Sequence, residues 1–281
     1  MIALISYVLT GVAIGGFLVL VFQKIKNRIV SQKIRRILNF GEDDIVFVYQ
    51  CKDFNENNKV ITPDASKEDF IAMNNFLSAL IKINWRRDVI VIDSEKFFNN
   101  MKMYENKNII LFGSRKVNIV TEIYEKFLEN NNIEFYRTER IDKDRWRIID
   151  GEGGIFPSET YSQIELYLKN GIPENQIGQM GLCDTGYITK FSNPLKSENK
   201  VMIIAGIRGI GTWGVAECIK KKYKEIYKIL QDAKTEKKDF SIRIRILYHN
   251  YDISNIIPTG KVFFIDKKQL KLIPYNDILN K

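Results

Sequence analysis

The chain has 281 residues, 45% of them hydrophobic and 12% aromatic, which is enough for a sizeable core, and its formal charge is +9. Six of those charges fall within residues 23–36, so residues 37–281 carry only +3; the basic balance is a membrane-topology signal, not a nucleic-acid footprint, and no nucleic-acid partner is expected. Cys51, Cys183 and Cys218 form no C-x-x-C pair, which argues against zinc or a disulfide framework and fits reduced cytosolic thiols, and the lone His249, expected as a strand-end polar residue, leaves little for a histidine metal site or a Ser–His–Asp triad.

Residues 2–22, IALISYVLTGVAIGGFLVLVF, contain no charge, and QKIKNRIVSQKIRR follows with six Lys/Arg and no acid. At 1.5 Å per residue the apolar run reaches about 31 Å as a helix, the thickness of a bilayer's hydrocarbon core. The expected organisation is a membrane anchor over 1–23, a basic juxtamembrane linker over 24–40 and a cytosolic domain over 41–281. Lys24, Lys26, Arg28, Lys33, Arg35 and Arg36 stay inside, where anionic lipid holds residues 24–36, and the N-terminus lies outside. A cleaved signal peptide would carry its charges before the apolar run and a small-x-small site after it, and neither is present. Gly11 and Gly15, with Gly16 beside them, have the G-x-x-x-G spacing that lets helices approach closely, and Ser6 and Thr10 add hydrogen-bonding groups, so a homo-oligomer through this face is expected. The alternative is that the glycines reflect only glycine's abundance in membrane helices.

Strand and helix then alternate. DIVFVYQ (44–50) reads as a buried strand. Residues 66–83 read as a helix opened by Ser66 as N-cap, with Asp69 three residues on. Strands follow at 88–93 and 108–113, a helix at 117–131, a strand at 133–139, and over 145–154 a strand ending in a glycine-rich turn. A short helix at 159–171 closes on Gly171. Strands at 186–191 and 200–206 precede a long helix at 212–234, and the last strands are 240–250 and 261–266. This order predicts an α/β, Rossmann-like, mainly parallel sheet with helices on both faces, behind a single N-terminal transmembrane helix. The domain is expected as one unit or as two lobes split near 151–158. The lysine-rich stretches 220–224 and 234–238 read as solvated faces.

Two loops carry the chemistry. In NIILF-GSRKVN-IVTEIYEKF, Gly113 and Ser114 turn the chain between a strand and a helix beginning near Asn118. In VMIIA-GIRGIGT-WGVAECI the strand ends at Ala205, Gly206, Gly209 and Gly211 make the turn, and Thr212 is the expected N-cap. Ligands of open α/β sheets bind beyond the carboxyl ends of strands, glycines let amides close on an anion, and helix N-termini add partial positive charge. Gly113, Ser114, Arg115, Lys116, Asn118, Gly206, Arg208, Gly209, Gly211 and Thr212 are therefore the candidate ligand residues, with Arg115 and Arg208 converging on one anion. The competing reading is two ordinary tight βα turns, since neither loop is a G-x-G-x-x-G or a Walker A motif. No metal site and no cofactor beyond a nucleotide ligand is expected.

Gly113-Ser114…Asn118, then Tyr187…Asn193-Pro194, then Ala205-Gly206…Gly211-Thr212-Trp213-Gly214-Val215-Ala216 together resemble an uncharacterised prokaryotic Rossmann-like sensor/effector domain found behind membrane or DNA-binding helices. The resemblance covers residues 107–250 and implies the fold, but no activity. A weaker likeness is to lysine-decarboxylase-like (LOG) nucleotide phosphoribohydrolases, through Gly209-Ile210-Gly211-Thr212…Glu217. Ile207-Arg208 stands where that family's pattern has Pro-Gly, and Glu217 lies five residues after Thr212 where the pattern has three, so its catalysis is not carried over. Asp184 and Glu217 are the acids near the loops, and each also reads as structural, Asp184 as a turn cap and Glu217 as a first-turn surface residue. The first function class is thus a membrane-anchored sensor or effector that binds a nucleotide or other phosphorylated small molecule and signals through association of its membrane helix. The alternative is a membrane-tethered nucleotide or glycosyl hydrolase, and a third, blander class is an anchored scaffold. The shortage of catalytic groups favours binding over an enzyme.

Overall fold

The computed structural model describes residues 2–52, 64–142, 145–177, 179–234, 238–250, 252–266 and 270; the side chains of residues 2–18, 20, 51, 52, 64, 65, 175 and 260 lie outside that description. The chain begins with one 37-residue helix, α1 (Ile2–Leu38). The stretch expected as a linker over 24–40 is therefore helical to Leu38. It contains no Gly or Pro up to that point, and Val30, Ile34, Ile37 and Leu38 recur at helical spacing. Ile34, Ile37 and Leu38 are buried in the main core, so the last turns of α1 belong to the domain, which starts earlier than residue 41. Among the described residues no helix is long and apolar enough to cross a membrane. Most side chains of the expected span 2–22, Gly11 and Gly15 included, lie outside the described residues.

The remaining elements are β1 (Ile45–Tyr49), β2 (Cys51–Lys52), β3 (Asp64–Ala65), α2 (Lys67–Lys82), β4 (Val89–Asp93), α3 (Ser94–Asn99), β5 (Asn108–Phe112), α4 (Ile119–Asn130), β6 (Arg137–Arg140), β7 (Trp146–Ile149), β8 (Ile155–Pro157), α5 (Glu159–Lys169), α6 (Glu174–Ile177), β9 (Leu182–Ser192), β10 (Lys200–Gly206), α7 (Gly209–Lys221), α8 (Tyr223–Asp232), β11 (Asp239–His249) and β12 (Asp252–Ile265). Seven strands form the central sheet in the order β12-β11-β9-β10-β5-β1-β4. The four strands β10, β5, β1 and β4 are parallel, as the alternating pattern predicts. The other half is antiparallel: β9 pairs with β10, and β11 with both β9 and β12. The reason is connection length. Only residues 193–199 separate β9 from β10 and only 250–251 separate β11 from β12, too few for a crossover.

One face of the sheet is covered by the end of α1 with α2, α7 and α8, and the other by α3, α4 and a small β6–β7–β8 sheet. The segment 133–139, expected as a strand, contributes its last residues to β6 (Arg137–Arg140), which pairs in that small sheet. The long helix expected over 212–234 begins at Gly209 and breaks at Lys222, which lets α8 turn Ile226, Tyr227 and Leu230 into the core.

Candidate functional site

Because β1 connects to β4 on one side and β5 lies on the other, strand order reverses between β1 and β5, and this is where an open sheet forms a crevice. Gln50 follows β1, Gly113 follows β5 and Gly206 ends β10, so three neighbouring parallel strands deliver their carboxyl ends to one place. A cleft of about 420 Å3 lies there, within the range of small-molecule sites. The two loops singled out in the sequence form its floor. The start of α2 (Ser66, Glu68, Asp69) makes one wall, and Tyr161 of α5 contributes to another.

Seven of the ten expected residues line the cleft: Gly113, Ser114, Lys116, Gly206, Arg208, Gly209 and Thr212. Ser114 is 2% exposed. Its carbonyl accepts from the amides of Val117 and Asn118 at 2.9 Å, while its hydroxyl makes no hydrogen bond among the described residues and the residue lines the cleft. Gly113, at φ +98°, sets up the turn in a conformation other residues rarely adopt. Helix α7 starts at Gly209 with Arg208 as N-cap and no side chain capping it, so the amides of Gly209 and Ile210 have no partner among the described residues and both residues line the cleft. Thr212 is therefore not the cap. It sits one turn in, where its hydroxyl accepts from the Gly206 amide at 3.2 Å and keeps its own proton to donate. The Arg208 guanidinium lies 5.7 Å from the centre of the Tyr161 ring and has no carboxylate within ion-pair distance among the described residues.

Three expected residues are elsewhere. Arg115 does not converge with Arg208: its Nε pairs with Glu125 and its Nη2 with Glu129 at 2.8 Å, on the flank of α4. Glu125 is fully buried, accepts from the Tyr187 hydroxyl, and has its pKa raised by burial against the opposing pull of Arg115. Asn118 lies behind the turn as the N-cap of α4, its Oδ1 accepting from Val120 at 3.0 Å and Thr121 at 3.2 Å and its Nδ2 donating to the Phe112 carbonyl at 3.0 Å. Gly211 is a packing residue. A Cβ there would stand 2.7 Å from Asp184 Oδ2, and one on Gly206 would stand 2.5 Å from the Gly211 backbone. The glycines of this loop thus let α7 lie against β9 and β10, a use that the phosphate-loop reading did not anticipate.

Asp184, on β9, is buried beneath the second loop; its Oδ1 accepts from Ser158 at 3.1 Å and its Oδ2 from the Arg208 amide at 3.2 Å. Burial pushes its carboxyl up to about 6, against the pull of the Thr185 amide and the Arg208 charge. It positions the Arg208 turn and does not line the cleft. Glu217 accepts from Trp213 Nε1 at 2.8 Å and pairs with Lys221, also away from the cleft. Of the carboxylates that do line it, Asp69 was read only as standing three residues after the N-cap Ser66, and Glu68 was not singled out. Ser66 as N-cap was the available signal, because it marks the N-terminus of the helix that follows β1 at the switch point.

No group of three or more metal-ligating side chains occurs among the described residues. Among known proteins, no family model matches the chain and no curated protein resembles it.

Proposed function

We propose that this chain is a membrane-anchored sensor or effector of the Rossmann-like kind its motifs resemble, in which the cytosolic domain binds a nucleotide or other phosphorylated small molecule in the cleft between the Gly113 and Gly206 loops. The observation that carries this reading is the convergence on one cleft of the Ser114 hydroxyl, which has no internal partner among the described residues, two uncapped amides and a guanidinium without a carboxylate. An anion in the cleft can accept from all of them, and the start of α7 adds partial positive charge there. The anchor rests on the uncharged run 2–22 and its basic flank. Self-association is supported by Phe22, Ile25 and Ile29, which are 70%, 51% and 49% exposed and lie on the same helical face as Gly11 and Gly15.

Thermal shift of the full chain in neutral detergent against a nucleotide and phosphosugar panel tests the reading. Each charge-assisted contact is worth about 1.5–3 kcal/mol, so Arg208→Ala should weaken binding about tenfold to a hundredfold, and Ser114→Ala should weaken it by less. The reading fails if no phosphorylated compound shifts the wild type. A second reading, a tethered hydrolase, is favoured by Glu68 and Asp69 on the wall facing the anion side, where one carboxylate can activate a water. Product formation from the bound compound, lost in Glu68→Gln and Asp69→Asn, would select it.

A further inference from the structure

A second depression lies where α1 overhangs the domain. It is a groove of about 990 Å3 between α1, the end of α2 and the start of α8. Lys24, Asn27 and Arg28 line it from α1, Ile81 and Lys82 from α2 and Tyr223 from α8, and no carboxylate lines it among the described residues. None of the three cations has an acidic partner among the described residues; Lys82 Nζ donates to the Lys220 carbonyl at 3.0 Å. Burial first, and then the Lys220 ammonium, lower the Lys82 pKa, a penalty that an anion in the groove would relieve. Ile81 is 68% exposed beside them, an aliphatic surface next to a cationic one.

Depth decides the ligand. Taking residue 22 as the end of the hydrocarbon-spanning run, Lys24 lies about 3 Å beyond it and Arg28 about 9 Å. The headgroup layer is about 5–8 Å deep on each side of the core. The groove therefore opens within the headgroup layer at Lys24 and reaches the outer edge of that layer at Arg28, with cations for a phosphate and an exposed isoleucine for glycerol or acyl carbons. We propose that this groove is a binding site for the headgroup of an anionic phospholipid, clamped between the anchor helix and Lys82 of the domain. The proposal rests on the anchor reading above. It goes beyond diffuse attraction of the basic segment, because Lys82 comes from a different element and the off-groove cation Lys26 takes no part.

Full-length protein in neutral detergent is titrated with short-chain phosphatidylserine. Lys82→Gln and Arg28→Gln should each weaken binding about fivefold, the factor corresponding to about 1 kcal/mol per basic residue at an anionic surface, and Lys26→Gln should leave it close to wild type. Equal losses for Lys26→Gln and Lys82→Gln overturn the groove in favour of diffuse charge. Equal competition by inorganic phosphate overturns the lipid in favour of a free anion. Flotation with phosphatidylcholine vesicles separates the two levels of the argument: a chain that does not float, or is stripped by carbonate, refutes the anchor and the groove with it. A chain that floats and resists carbonate but binds phosphatidylserine independently of Lys82 refutes the groove alone.

Discussion

Arg115 and Arg208 occupy comparable positions in two strand–turn–helix units, yet they have opposite surroundings, and one pair of substitutions separates them. Arg115→Met leaves Glu125 fully buried with the Tyr187 hydroxyl as its remaining donor and takes a partner from Glu129. Breaking one side of a buried ion pair costs about 3–5 kcal/mol, and in a domain of this size each kcal/mol moves Tm by about 2–4 °C, so a fall of about 10 °C is expected. The loss should depend on pH. Burial already raises the Glu125 pKa, and removing Arg115 raises it further. The unfolded chain then releases that proton first, so the variant loses stability as pH rises above the ordinary glutamate range and recovers part of it in acid. Arg208→Met removes a partly exposed side chain that stacks near the Tyr161 ring and makes no ion pair among the described residues, so Tm should stay within about 2 °C of wild type, while the ligand-induced shift collapses. Differential scanning fluorimetry of both variants, with and without ligand, reads all of this. An Arg115→Met protein as stable as wild type but blind to ligand would mean that Arg115 reaches the cleft after all.

Further outcomes follow from other buried groups. Asp184 has a native pKa of about 6 against an ordinary 3.8; wild-type stability should therefore fall between about pH 4 and 6, by roughly 3 kcal/mol at most, and Asp184→Asn should flatten that limb of the Tm–pH curve. Lys190 is buried with its Nζ 3.0 Å from the Ile37 carbonyl, and burial brings its pKa down to about 7 from 10.5. Its unfolded form holds the proton to higher pH, so stability should rise between about pH 7 and 10 in wild type and not in Lys190→Met. Gly206→Ala would place a methyl 2.5 Å from the Gly211 backbone and should cost about 1–3 kcal/mol with no ligand present; normal stability with lost binding would return the glycine to a phosphate-cradling role. Glutamate at both Phe22 and Ile29 should abolish cross-linked dimers of the full chain in neutral detergent, and undiminished cross-linking would assign the stripe to lipid.

The parallel half of the sheet was legible because its strands are apolar runs, and three of them, β1, β5 and β10, lead to helices that begin with Ser66, Asn118 or a glycine turn; the short α3 after β4, capped by Asp93, was not foreseen. The cleft was legible for the same reason: local signals place both loops at strand ends, and the strand order brings them together. The partner of an arginine is a tertiary property. Nothing within the GSRKVN turn reveals that Glu125 and Glu129, two and three helical turns further on, capture Arg115. Nor does periodicity reveal that a glycine is needed beneath α7 and not against a ligand, because both uses put small residues at a turn. Asp69 was hidden by a correct reading of its local role, and Glu68 beside it was not singled out, since acids in a helix's first turn already have a sufficient explanation there.

β9 concentrates the rest. The sequence pattern marks only residues 186–191, whereas the strand runs from Leu182 to Ser192 and all eleven residues are buried. Asp184, Thr185, Thr189, Lys190 and Ser192 are polar residues where a central strand is normally apolar, and the side chains of Asp184, Thr189, Lys190 and Ser192 each have a hydrogen-bonding partner. On one face Asp184 receives the Arg208 amide and Lys190 donates to Ile37 at the end of α1; on the other, Tyr187 reaches Glu125 and Thr189 meets Ser241 at 2.6 Å. Side chains at 184 and 190 share a face because strand residues alternate. The same strand therefore fixes the turn that lines the cleft and the last turn of α1. A polar central strand is costly unless every group on it is satisfied, and satisfaction here requires α1, α4 and the Arg208 turn to be in place together. That shared requirement is a physical route by which occupancy of the cleft can bear on α1: a ligand that tightens the Arg208 turn tightens the strand to which Ile37 is bonded.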